Sequence, residues 1–180
     1  SGTSVTIHLP FWAKDGGPER TMAALADPED RRKMKRELNS RSDIQGLWNN
    51  DWLHNFRQPQ NKKYDGKTIA AIAEMREQDP ADALFDLLLE EKLGISEVGL
   101  GTNAHTLPAF VSHPYGMIAS DSILFGEYPN PRSYGCFPVV LAEFVRAEKH
   151  LKLPEAVRKM TSFPAQRLGL PDRGVLRDGF

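Results

Sequence analysis

Between Asp79 and Gly94 the apolar residues Leu84, Leu87 and Leu88 stand three and one positions apart, with Glu91 continuing the same face. That is the spacing of a helix with one side against a core. Asp79-Pro80 opens it with an N-capping side chain and a residue suited to the first helical turn. The spacing predicts a helix over Ala81 to Lys92, ended by Gly94. Asp27-Pro28 repeats the same start and predicts a helix to about Leu38, thin in apolar residues and so in need of a partner surface. Shorter helices are predicted over Glu19 to Leu25, after Asp65-Gly66 (Ile69, Ile72, Ala73 and Met75), over Ala104 to Ser112, and from Leu153-Pro154 through Met160. Phe137 to His150 reads as an amphipathic helix with Phe137, Leu141, Phe144 and Val145 inward. Pro164 to Leu168 reads as a last turn stopped by Gly169.

Strand signals are few. Val5 to Leu9 and Ser96 to Gly101 are β-like, and Tyr115 to Ser120 is an apolar run that reads as a buried parallel strand ending at Asp121. Trp12 to Pro18, with Gly16-Gly17, reads as a loop, as does Ser122 to Gly135. Asn39 to Tyr64 is polar and irregular, yet its Trp48, Trp52, Leu53 and Phe56 need a place to be buried.

Composition narrows the function classes. Twenty-three basic and 24 acidic side chains leave a formal charge of -1, so nothing argues for nucleic acid or a membrane surface as partner. The basic run Arg31 to Arg36 reads as a solvated helix face. There is no apolar run of about 18 residues and no visible signal peptide. Cys136 is the single cysteine, which excludes an internal disulfide and suits a reducing compartment; a cytoplasmic location is the expectation. The first residues, Ser-Gly-Thr-Ser, lack an initiator Met, which points to a piece of a longer protein.

Two residues could carry chemistry. A carboxylate after an apolar strand, such as Asp121, sits where an α/β barrel keeps its reactive groups; it could ligate a metal, act as a base, or merely cap the next loop. Arg132 in Pro-Arg-Ser-Tyr-Gly offers a guanidinium fork for a carboxylate, or a structural hydrogen-bonder, with Tyr134 and Gly135 shaping the same loop. His8, His54, His105, His113 and His150 show no His-x-His or His-Glu-x-x-His spacing, so no metal motif is legible. Cys136 precedes a helix and reads as a small packing residue. There is no phosphate loop and no Gly-x-Ser-x-Gly elbow.

Several blocks in fixed order carry a family resemblance. They are His113-Pro114, Met117-Ile118-Ala119-Ser120-Asp121 and Pro131-Arg132-Ser133-Tyr134-Gly135-x-Phe137-Pro138, then Leu153-x-Glu155-Ala156-Val157-Arg158-Lys159-Met160-Thr161-Ser162, Pro164-Ala165-x-Arg167-Leu168-Gly169-Leu170 and Asp172-Arg173-Gly174. Upstream, Leu9-Pro10-x-Trp12 with Gly16-Gly17, and Leu25-Ala26-Asp27-Pro28-Glu29, join them. Together they resemble the N-acyl-D-amino-acid deacylase (D-aminoacylase) family of metal-dependent amidohydrolases across nearly the whole chain. The resemblance implies a helix-rich α/β fold: the C-terminal part of a TIM-type barrel, its last β/α units, with a mostly helical insert. Residues 1–94 would be the region between strands seven and eight, with the insert covering the active site, and 95–180 the last barrel strand and the helices after it. It implies Asp121 as the catalytic aspartate, also a candidate metal ligand, that passes a proton from metal-activated water to the leaving amine. It implies Arg132 as the grip on the α-carboxylate of an N-acyl-D-amino acid.

The resemblance also implies a Zn²⁺ cofactor in the parent enzyme, on histidines and a cysteine that would precede Ser1. The isolated chain is then expected to bind no zinc, to be inactive, and to self-associate through exposed barrel edges. The other reading of such a chain is a non-catalytic binding or assembly domain derived from the barrel. Asn130 stands where the family usually has His before Pro-Arg, Ser122 where it has Gly, and Cys136 where a Thr is common.

Overall fold

The computed structural model describes residues 3–41, 46, 48–99, 105–122, 124 and 129–180. The chain forms two compact units, one of Ser1–Gly101 with Phe125–Pro129, the other of Thr102–Leu124 with Asn130–Phe180. Together they are helix-rich α/β, with one small antiparallel sheet among the described residues.

That sheet belongs to the first unit. Its strands are β1 (Thr3–Ser4), β2 (Asp51–His54), β3 (Lys67–Thr68) and β4 (Ser96–Gly99), in the order β1-β4-β2-β3. The register sets Asp51 opposite Gly99 and Leu53 opposite Glu97. Residues two apart share a face of a strand, so Asp51, Leu53, Glu97 and Gly99 share one. Leu53 is fully buried there beside Phe56, Leu84, Leu88 and Ile95 in the unit's main core.

Helices Gly17–Ala26, Pro28–Ser40, Ile69–Arg76 and Pro80–Glu90 complete this core. Both Asp-Pro starts form as expected: Asp27 accepts the Glu29 and Asp30 N–H groups at 2.9 and 2.8 Å, and Asp79 accepts that of Ala81 at 2.9 Å. Asp27→Ala should lower stability by about 1 kcal/mol, read as a fall in urea midpoint at unchanged slope. The thin Pro28–Ser40 helix buries only Met34 and Leu38 and finds its partner in charge. Arg31 reaches Asp86 at 2.6 Å, and Lys35 reaches Asp82 at 2.6 Å and Asp79 at 3.2 Å. Two members of the basic run thus pair with the acidic face of the Pro80–Glu90 helix instead of standing free in solvent. Glu91, at the end of that helix, is 2% exposed and accepts the Arg57 and Gln58 N–H groups and the Asn61 amide. It ties down the polar segment that precedes Tyr64.

Local bonding overrides several sequence expectations. Val5–His8 is a 3-10 helix, not a strand, because the Ser4 hydroxyl accepts the Thr6 N–H and Leu9 bonds back to Thr6 O. The expected loop after it contains a one-turn helix, Phe11–Lys14, which buries Ala13. Met75 faces outward, 49% exposed.

In the second unit, Tyr115–Ser120 forms no strand. The Gly116 N–H bonds to His113 O and the Ile118 N–H to Lys159 O, so a turn and a helix take the groups a neighbouring strand would have used. Tyr115 is 80% exposed where burial was expected. The helices are Leu107–Ser112, Arg132–Val139, Leu153–Met160 and Ser162–Arg167. After Val139 the backbone widens into a π-helical stretch, Val140–Ala147, and Glu148 N–H reaches back five residues to Glu143 O. The wider turn brings Val140 and Phe144 inward with Val111, Leu151 and Ala156, while Leu141 and Val145 pack alongside and Phe137 turns out. Among the described residues no helix is long and apolar enough to cross a membrane.

Candidate functional site

Asn130, Asp121 and Arg132 organise one corner of the second unit. Asn130 is buried, and its side-chain oxygen accepts the Arg132 N–H at 3.0 Å, while its carbonyl accepts the Ser133 N–H at 2.8 Å. This short polar side chain fixes the start of the Arg132–Val139 helix. Arg132 consequently sits in a first helical turn and not in a loop. Asp121 has φ 46°, a left-handed conformation that Asp tolerates better than most residues.

The two residues singled out in the sequence meet. Arg132 Nη2 lies 2.9 Å from Asp121 Oδ2; the Asp121 side chain is 78% exposed and that of Arg132 24%. The Arg132 Nε is sealed from solvent and has no acceptor among the described residues. Arg132 also lines a cleft of about 520 Å³ whose other walls include Phe110, Met117, Ile118, Val140 and Phe144. Cys136 lines it too, only half-buried where a buried packing residue was expected, its thiol donating to Ala119 O at 3.5 Å. Tyr134 faces outward, 69% exposed, and His113 stands at the turn before Gly116, its Nδ1 accepting the Tyr115 N–H.

Behind this corner lies Lys159, fully buried. Its ammonium donates to His113 O and, at 2.9 Å, to Gly116 O, while its own carbonyl takes the Ile118 N–H. Burial lowers its pKa from the ordinary lysine value, with the nearby Glu155 carboxylate working the other way. The segment that ends in Asp121 is thereby pinned to the Leu153–Met160 helix.

Asp121 belongs to no set of three or more His, Cys, Asp or Glu donors among the described residues. Zinc geometry needs three or four protein ligands, so Asp121 with its described neighbours does not hold that ion. What the pair can do unaided is take up a proton on Asp121 and present a guanidinium fork toward an anion.

A donor set does exist in the first unit, and the sequence reading missed it. His8 Nε2 lies 2.6 Å from Glu97 Oε2 and 3.1 Å from Asp51 Oδ2. Asp51 is 1% and Glu97 5% exposed. Burial pushes the His8 pKa down, but the Asp51 and Glu97 carboxylates outweigh it and raise it to about 9. His8 and Glu97 are 89 positions apart, so no motif spacing could join them. The signal that was legible is a polar residue two positions from an apolar one on a buried strand face, as with Asp51 and Leu53.

No protein-family model matches the chain. Three curated relatives from Alcaligenes xylosoxydans xylosoxydans match part of it. N-acyl-D-aspartate deacylase is 42% identical over 69 residues, 38% of this chain and 14% of the relative. N-acyl-D-glutamate deacylase is 43% identical over 67 residues, 37% of this chain and 14% of the relative. D-aminoacylase is 44% identical over 64 residues, 36% of this chain and 13% of the relative. Among solved structures, N-acyl-D-glutamate deacylase from Bordetella bronchiseptica, crystallised with zinc and a phosphonate mimic of the tetrahedral intermediate, superposes with TM-score 0.62 at 25% identity. It shares 75% of this chain and 27% of its own. A D-aminoacylase crystal structure gives TM-score 0.63 at 25% identity over 74% of this chain and 27% of its own. The chain thus spans about a seventh of the curated relatives' length and about a quarter of the solved chains. Sequence and fold agree over the shared part: the chain is similar to N-acyl-D-aspartate and N-acyl-D-glutamate deacylases and to D-aminoacylase.

Proposed function

We propose that the protein hydrolyses the amide bond of N-acyl-D-amino acids, and that this chain supplies two working groups. Arg132 binds the substrate α-carboxylate, and Asp121 accepts a proton from the attacking water and returns it to the leaving amine. The observation that carries this reading is the Arg132–Asp121 pair at 2.9 Å, with Arg132 lining an apolar cleft. A guanidinium fork that lines a cleft beside its first carboxylate partner suits a second carboxylate. Apolar walls suit an acyl chain or an apolar side chain. The substrate class proposed is the one in the names of the similar proteins, which supports the reading. Zinc, present in the Bordetella structure, would need donors beyond those described around Asp121, and the 180-residue chain alone is expected to show no deacylase turnover.

Arg132→Lys, made in the active full-length enzyme, tests the reading. The substitution keeps the charge and removes the fork. The kcat/KM for N-acyl-D-amino acids should fall by about 10- to 100-fold, equivalent to roughly 1–3 kcal/mol of transition-state binding. An amide substrate lacking the α-carboxylate should lose much less. Equal losses on both substrates would reduce Arg132 to a structural support.

A further inference from the structure

The strand register makes a chemical pocket out of residues far apart in the chain. Asp51 on β2 and Glu97 on β4 share one sheet face, and the position opposite Asp51 is Gly99. A Cβ there would stand 2.5 Å from Asp51 Oδ1, so the carboxylate lies across the strand only because the neighbour has no side chain. The 3-10 turn after β1 then folds His8 over both acids.

This cluster is under-satisfied as it stands. The Nε2 nitrogen carries at most one hydrogen, and its hydrogen-bond partner is Glu97 Oε2. Asp51 Oδ2, on a side chain 2% exposed, is within ion-pair range of the same nitrogen but has no hydrogen-bond partner among the described residues. A buried carboxylate oxygen with no hydrogen bond, as at Asp51 Oδ2, is costly away from water. A doubly charged ion held among the two carboxylates and a neutral imidazole would give Asp51 Oδ2 a partner.

We propose that His8, Asp51 and Glu97 form a binding site for a divalent transition-metal ion, with His8 Nε2, Asp51 Oδ2 and Glu97 Oε2 as ligands. The three donor atoms lie within 4.8 Å of one another. Around tetrahedral zinc, with bonds of about 2.0–2.1 Å, neighbouring ligand atoms stand roughly 3.3 Å apart. The Nε2–Oδ2 distance of 3.1 Å is near that already, and the 2.6 Å to Glu97 Oε2 needs to open by about 0.7 Å. The imidazole ligand favours zinc and its transition-metal neighbours over magnesium or calcium, which take oxygen. The site is independent of Asp121 and of the hydrolase reading.

The test is zinc titration of the metal-stripped 180-residue chain by calorimetry, with cobalt absorption reporting the geometry. One equivalent should bind, raise the melting temperature, and shift the His8 imidazole ¹⁵N resonances. Asp121→Asn should keep that equivalent, and His8→Gln should lose it. Gly99→Ala, which forces the Asp51 carboxylate aside, should weaken it at least about tenfold while the chain stays folded. The proposal is overturned if the folded chain binds no zinc, if the bound equivalent survives both His8→Gln and Gly99→Ala, or if Asp121→Asn abolishes it. Should His8→Gln fail to fold, unchanged His8 resonances in the zinc-treated wild-type chain would be equally decisive against it.

Discussion

Asp121→Asn in the active full-length enzyme should cut turnover of N-acyl-D-amino acids by about 10²- to 10⁴-fold, the range that proton transfer by a positioned side chain contributes. The exchange is nearly isosteric, but an amide does not take up the proton of an attacking water. Its effect on the fold should be small. The Asp121 side chain is 78% exposed, and its ion pair is with Arg132; pairs of that exposure contribute at most about 1 kcal/mol. Circular dichroism and the melting profile should therefore match the wild type while kcat collapses. Activity within about threefold of wild type would leave Asp121 as nothing more than a counter-charge for Arg132.

The second large effect is expected at Lys159. Methionine approximates its length and apolar stem but cannot donate to His113 O and Gly116 O. Two opposing terms are set against each other. Relief of a buried ammonium favours the variant, while a carbonyl stripped of its donor costs about 1–3 kcal/mol if it stays dry. With two carbonyls affected, loss should win by about 2–4 kcal/mol, and the 113–116 turn should loosen with it. Calorimetry of Lys159→Met would read the first effect, and hydrogen exchange at Gly116 and Ile118 the second. A variant as stable as wild type would show that water replaces the ammonium. The pH dependence gives an internal check. The folded-state pKa lies below the unfolded value, so between the two the unfolded chain holds the extra proton and wild-type stability rises with pH. It falls again as pH drops through the folded-state value, and Lys159→Met should lack this slope.

The elements written by local chemistry were legible in the sequence. Asp27-Pro28 and Asp79-Pro80 each announce a helix because capping is settled within four residues. The pairing of Asp121 with Arg132 was not stated by spacing, but both residues were singled out and the structure joins them. What failed depends on neighbours. Tyr115–Ser120 has the apolar content of a buried strand, yet a strand exists only where another offers its backbone, and here Lys159 and His113 take those groups instead. His8 looked idle because its partners arrive through the β2–β4 register, which no short window of sequence contains. Phe137 faces outward from the Arg132–Val139 helix while Val140 and Phe144 face inward from the π-helical stretch after it, a change of winding that a 3.6-residue period does not anticipate.

Asn130, where the sequence resemblance leads one to expect a histidine, is the group that seats the first turn carrying Arg132. An amide has no proton to gain or lose between about pH 5 and 8, the interval in which an imidazole at the same place would change charge. The aim of the guanidinium is thus decoupled from ambient acidity. A mildly acidic surrounding leaves this anchor electrically silent, with no new cation placed two residues before Arg132 to compete for the same anion.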